Sequence, residues 1–238
     1  MTKNSSRLPQ TGHELFILEA PTAEDARLCR LDGQVLEAQL KLTPLKPKYY
    51  KAADKNEFAI GLMEFKKSGC RFLHVSCHGN DRGTVFQLGR DSVNHEEIVE
   101  MLKGSLTNNR ITFSACNAGR SSLFMNIIKR YKNSVQSVMG FNTTIDIELA
   151  SAFWISYYTI LTRLTYAGRR AVDADVNHIH VNGLAKIIEA LSSLFNVNVR
   201  LCYPVQKGSS KSQAWFVCNE LCVPKGTQWR QHKEELLI

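Results

Sequence analysis

Phe72-Leu73-His74-Val75-Ser76-Cys77-His78-Gly79 is an apolar, β-rich run that ends on a histidine and a glycine. A second run, Arg110-Ile111-Thr112-Phe113-Ser114-Ala115-Cys116-Asn117-Ala118-Gly119, has the same plan with a cysteine in place of the histidine. In an open parallel sheet, adjacent strands present their C-terminal ends at one edge, and such folds build sites there. Two strands of this kind bring an imidazole and a thiol together.

The segments around these strands alternate between strand and helix patterns. Before the first comes Glu14-Leu15-Phe16-Ile17-Leu18-Glu19-Ala20, a short strand. Thr22 N-caps the helix that follows, with Asp25 three residues on in near capping-box spacing. Leu28, Leu31, Val35, Ala38 and Leu42 continue that helix at helical spacing through Gly33. Tyr49-Tyr50 reads as an edge strand and 56–67 as a helix ended by Gly69. Residues 84–88 read as a hairpin arm, and Asn94 with Glu97 starts a helix with Ile98, Met101 and Leu102 on its buried face.

Beyond the cysteine, a helix capped at Ser121 or Ser122 leads to a strand over 134–141. Asp146 begins a long helix with the stripe Ala150, Phe153, Trp154, Tyr157, Ile160, Leu161 and Leu164. A further helix starts at Asp173 or Asp175 and carries Ile179, Leu184, Ile187, Ile188, Leu191, Leu194 and Phe195. Strands at 197–202 and 214–218 flank a loop at 208–212. This order predicts an α/β fold, a mostly parallel central sheet with helices on both faces. The expected organisation is a flexible N-terminus at 1–13, one domain over 14–224 and a polar C-terminal tail at 225–238.

The 238 residues are 44% apolar and carry a net charge of +8, enough for one substantial core. The basic residues are scattered, apart from Leu45-Lys46-Pro47-Lys48 and Gly168-Arg169-Arg170. That pattern reads as solvated surface rather than a nucleic-acid footprint. Seven cysteines, an odd number at irregular spacing, predict reduced thiols and a reducing, cytoplasmic compartment rather than a disulfide framework. No signal peptide or membrane-spanning run is legible, so no membrane partner is expected.

A thiol attacks as its thiolate, and a neighbouring imidazole supplies that activation. Gly79, directly after His78, lets the backbone approach a substrate and offers an N–H to an oxyanion, with the Cys116 N–H as the second donor. Ser114, Ala115, Ala118 and Gly119 are small and leave the thiol accessible.

His78-Gly79 after one apolar strand and Ser114-Ala115-Cys116 after the next resemble the caspase-like cysteine peptidases, most of all the CHAT-type branch. Met139-Gly140-Phe141-Asn142-Thr143-Thr144-Ile145-Asp146, followed by a helix, also resembles that branch, and the likeness covers roughly residues 14–165. Ser114 replaces the glutamine of the caspase signature, and the spacing from 78 to 116 is 38 residues rather than about 50. Cys77 stands where the branch often has a smaller residue.

The resemblance implies a caspase-like three-layer sandwich and a cysteine endopeptidase working through a dyad. Cys116 would be the nucleophile, His78 the general base and acid, and Gly79 and Cys116 the oxyanion donors. It implies no cofactor, no metal and no third catalytic carboxylate. Asp146, then Glu148, would bind a basic residue before the scissile bond, whereas Arg120 would serve an acidic one. It further implies a protein substrate in a regulatory or immune pathway, such as a pore-forming protein from a neighbouring gene, and an activating partner.

The rival readings are structural. A catalytically inactive caspase-like interaction module would keep the fold without the chemistry. Asp146 also reads as a simple helix N-cap, and His74, on the same strand face as His78, as core or as a residue packed behind the site. His178 with His180, and Cys218 with Cys222, lack the geometry or the partners of a metal site.

Overall fold

The structure is a computed structural model that describes residues 15–43, 45–169, 181–206, 214–221 and 231–234. Strands β1 (Leu15–Ala20), β2 (Lys48–Lys51), β3 (Phe72–Gly79), β6 (Asn109–Ser114) and β7 (Val135–Phe141) lie parallel. Strands β8 (Val199–Gln206), β9 (Ala214–Leu221) and β10 (Gln231–Glu234) extend the sheet antiparallel, giving the order β10-β9-β8-β7-β6-β3-β1-β2. A hairpin of β4 (Val85–Leu88) and β5 (Asp91–Asn94) branches from the end of β3, pairing His78 with Gln87. The fold is α/β with a mostly parallel central sheet.

Helices cover both faces because the buried strands are apolar on both sides. On one face, α3 (Lys55–Ser68), α4 (His95–Met101) and α5 (Leu123–Tyr131) bury Phe58, Phe65, Ile98, Phe124 and Ile127 over Phe16, Leu73, Val75 and Phe113. On the other, α2 (Asp32–Leu40), α6 (Ile147–Arg169) and α7 (Val181–Phe195) pack Leu36, Phe153, Trp154 and Ile188 over Leu15, Ile17, Met139 and Phe141. These three layers are compatible with a caspase-like sandwich. Phe141, Phe153 and Trp154 pack edge-to-face or tilted with centroids 4.8–5.4 Å apart, each such pair worth about 1 kcal/mol beyond its burial. They pin the start of α6 against the end of β7.

Several elements differ from the sequence reading. The single helix expected after Thr22 is two, α1 (Ala23–Arg27) and α2, broken where Cys29 turns left-handed at φ 55°. The β5 strand was not anticipated. Gln231–Glu234, expected in a polar tail, forms the edge strand β10. Ile160 and Leu194 are exposed, whereas Tyr158 is fully buried. Cys202 is disulfide-bonded, against the expectation of reduced thiols throughout, and its Cα faces Cys218 across the ladder. Residues 1–13, the helix starts at Asp173 and Asp175, His178, His180, the loop 208–212 and Cys222 lie outside the described residues.

Candidate active site

Strands β3 and β6 are neighbours in register, Ser76 opposite Ser114, so the histidine and cysteine reach the same edge of the sheet. His78 and Cys116 line one pocket with Glu19, Asp25, Asp32 and Ile145. The two motifs touch through the backbone. A Cβ on Gly79 would lie 2.1 Å from the Cys116 carbonyl oxygen, so only glycine lets the histidine turn pack on the cysteine turn. Gly83, at φ +64°, makes the same approach to Asn117. Asn117 in turn donates to Asn80 O at 3.4 Å and Thr144 Oγ1 at 3.1 Å. The loops after β3, β6 and β7 are thereby tied together around the thiol.

The Cys116 thiol is partly accessible and donates to the Ile145 carbonyl at 3.5 Å. Cys77, its neighbour in the lining, is buried, and burial pushes its thiol far above the ordinary range. The two cysteines therefore differ in reactivity: one is accessible in the pocket, and the other is an inert core residue.

The His78 ring is half-exposed, and its Nε2 lies 2.6 Å from Asp25 Oδ2. Asp25 is held in the first turn of α1 by a capping box with Thr22, whose N–H donates to the same oxygen at 3.2 Å. Burial works against the charged carboxylate, but the bonds from Thr22 and His78 outweigh it and lower its pKa. The carboxylate was unmarked in the sequence because its capping-box spacing already gave it a complete local role.

Two further carboxylates form the floor of the pocket. Asp32, at the start of α2, accepts from Ser76 Oγ and, at 2.7 Å, from Ser114 Oγ. Glu19 accepts from the Gly33 and Gln34 N–H groups at 2.8 and 3.2 Å, which caps α2 from a distant strand, and from Tyr49 Oη at 2.6 Å. Glu19 and Asp32 are almost wholly buried. Burial, then the charge of Asp32, raises the Glu19 pKa to about 8. Arg30 is the one lysine or arginine in the described lining, and it is exposed.

Asp146 and Glu148 are not brought into this pocket. Both are exposed, while Ile145, Ile147 and Ala150 face the lining in their place. The main-chain carbonyl of Asp146 accepts the Ala150 N–H at 2.9 Å at the start of α6. The buried acids of this pocket come from β1 and α2. Arg120 is exposed, donating to Asp81 O at 3.5 Å.

His74 is core, as expected, edge-on to Trp154 and 3.3 Å from Tyr158 Oη. Burial lowers its pKa to about 4. In the unfolded chain it would titrate near 6.5. Its contribution to stability is therefore complete above about 6.5 and is lost as pH falls toward 4, up to roughly 3 kcal/mol. Glu19 has the opposite sign, losing stability as pH rises from 4.5 toward 8. Urea melts of wild type and His74→Phe should separate the two: their difference should shrink steadily below pH 6.5. A difference constant down to pH 4 would refute a neutral buried His74.

Among the described residues there is no group of three or more potential metal ligands, and no helix is long and apolar enough to cross a membrane. No protein-family model matches the chain, and no curated protein matches it.

Proposed function

We propose that the protein is a cysteine endopeptidase of the caspase-like type, in the CHAT branch, that cuts after a basic residue. The observation that carries this reading is the packing of Gly79 on the Cys116 peptide, which seats a histidine and an accessible thiol on one pocket at the end of two adjacent parallel strands.

In this reading His78 takes the Cys116 proton, and the thiolate adds to the scissile carbonyl carbon. The oxyanion is met by the Gly79 and Cys116 N–H groups. The carbon–nitrogen bond then breaks as the imidazolium protonates the leaving amine, leaving a thioester on Cys116. His78 next removes a proton from water, the hydroxide adds to the thioester, and the carbon–sulfur bond breaks to free the acid. No cofactor enters any step.

The residue before the scissile bond would reach the floor of the pocket. The buried Asp32 carboxylate there, beside a Glu19 whose raised pKa leaves it mostly uncharged at neutral pH, and with only an exposed arginine in the described lining, favours an ammonium or guanidinium group and rejects an acid. Asp32, with Glu19 beside it as a hydrogen-bonding neighbour, takes the role that the resemblance assigns to Asp146 and Glu148. The wider reading is a cytoplasmic enzyme, switched on by a partner, that cleaves a dedicated pore-forming protein from a neighbouring gene in a regulatory or immune pathway. Co-expression with that protein should yield two discrete fragments with wild type and none with Cys116→Ala; an intact protein in both would count against it.

A pooled fluorogenic peptide library, varied at the residue before the scissile bond, tests the activity. Wild type should cleave arginine and lysine peptides, and Cys116→Ala none. Asp32→Asn should lower kcat/KM for them by about tenfold to a hundredfold, as expected for loss of one charge-assisted contact. Cleavage after aspartate, or equal cleavage by Cys116→Ala, would refute the reading.

A further inference from the structure

We propose that Asp25 is the positioning residue of the His78 imidazole, holding Nε2 so that Nδ1 is the nitrogen that serves Cys116. This rests on the dyad reading above and adds to it a member that a two-residue mechanism does not require.

The argument starts from hydrogen-bond chemistry. An ionised carboxylate only accepts, so the 2.6 Å contact places a hydrogen on Nε2 and fixes the tautomer with Nδ1 free to take a proton. When Nδ1 is protonated, the imidazolium gains a full charge-assisted bond to Asp25. That favours the thiolate–imidazolium pair over the neutral thiol and imidazole. Asp25 is suited to hold the ring because it is itself held: Thr22 N–H and Oγ1 both bond its Oδ2, and its own N–H donates to Thr22 Oγ1 at 3.1 Å. The histidine, by contrast, is half-exposed at the end of β3 and needs a fixed partner to keep one orientation.

The other titratable groups facing the pocket do not compete for this role. Glu19 and Asp32 are engaged with α2, Tyr49, Ser76 and Ser114; Arg30 lies at the exposed rim; Cys77 belongs to the core. The break at Cys29 separates α1 from α2, so one segment delivers Asp25 to the histidine and Asp32 to the floor of the pocket.

Iodoacetamide alkylation of the full chain between pH 5.5 and 9, followed residue by residue with peptide mapping, tests this without a substrate. Exposed Cys29 serves as the reference thiol, and buried Cys77 reports unfolding. In wild type, Cys116 should react at pH 6.5 at least about tenfold faster than in Asp25→Asn, whose profile should move up by about one pH unit or more. Asp25→Ser, too short to reach the ring, should behave the same. Thr22→Val removes the cap hydroxyl but keeps the Thr22 N–H bond and the carboxylate at the histidine; it should melt earlier and move the profile by clearly less than Asp25→Asn does.

An Asp25→Asn profile identical to wild type, with His78→Ala slowed, would overturn the positioning role and leave the dyad standing. Equal shifts in Thr22→Val and Asp25→Asn would also overturn it, making the helix cap the cause. A His78→Ala profile identical to wild type would overturn the dyad itself.

Discussion

Cys116→Ala and His78→Ala are each expected to lower the rate of peptide cleavage by about ten-thousandfold or more, and the double variant no further. In the proposed mechanism the two residues act as one unit: the imidazole would do nothing for the reaction without a thiol to deprotonate, and a neutral thiol is a poor nucleophile. Residual catalysis would come only from the oxyanion donors and from substrate binding, which both single variants keep. Their folding should change little: the His78 ring is half-exposed, its bond to Asp25 is lost while those from Thr22 remain, and the Cys116 thiol makes one long hydrogen bond. Steady-state kinetics on the best peptide of the library, with melting curves alongside, is the measurement. Additive losses in the double variant would mean that the residues act independently.

Gly79→Ala is expected to be nearly as damaging by a different route. The new methyl carbon would meet the Cys116 carbonyl oxygen at 2.1 Å and its carbonyl carbon at 3.1 Å, both backbone atoms of a turn tied down by Asn117. No side-chain rotation relieves such a collision, so the two turns must separate. The expected cost is about 3 kcal/mol of stability, the upper range for overpacking, with loss of activity. Gly104→Ala is the control. Unlike Gly79 it has a left-handed φ, +73°, and nothing lies within 4 Å of its Cβ, so only conformational strain of roughly 1 kcal/mol is expected. Urea melts of both variants decide it: equal small losses would mean that the two turns can separate at little cost.

The chemistry-bearing strands were legible because their signals are local and redundant. An apolar run that ends on histidine–glycine, and another on cysteine, each name a strand and its exit, and the parallel rule places the exits together. The second half of the site was hidden. Asp25 has a capping partner three residues away, Leu28 to Leu42 keep helical spacing across the break at Cys29, and Glu19 looks like one polar residue in a strand. What brings Asp25 and Asp32 to the pocket beside Glu19 of β1 is the turn between α1 and α2, which depends on tertiary packing of Asp32 against β3 and β6 rather than on any local preference. Asp146 misled for a related reason. It lies between Ile145 and Ile147, and when both neighbours face the pocket it faces away. The hairpin strand β5 and the edge strand β10 carry short polar sequences, whose pairing is set by their partners.

The most direct measurement is covalent labelling with pooled peptidyl acyloxymethyl ketones, varied at the residue next to the reactive carbon and read by peptide mapping. The proposed dyad requires label on Cys116 alone, fastest with arginine or lysine beside the ketone, and its loss in His78→Ala. Label shared equally with exposed Cys29, or Cys116 labelled as fast in His78→Ala as in wild type, would contradict it.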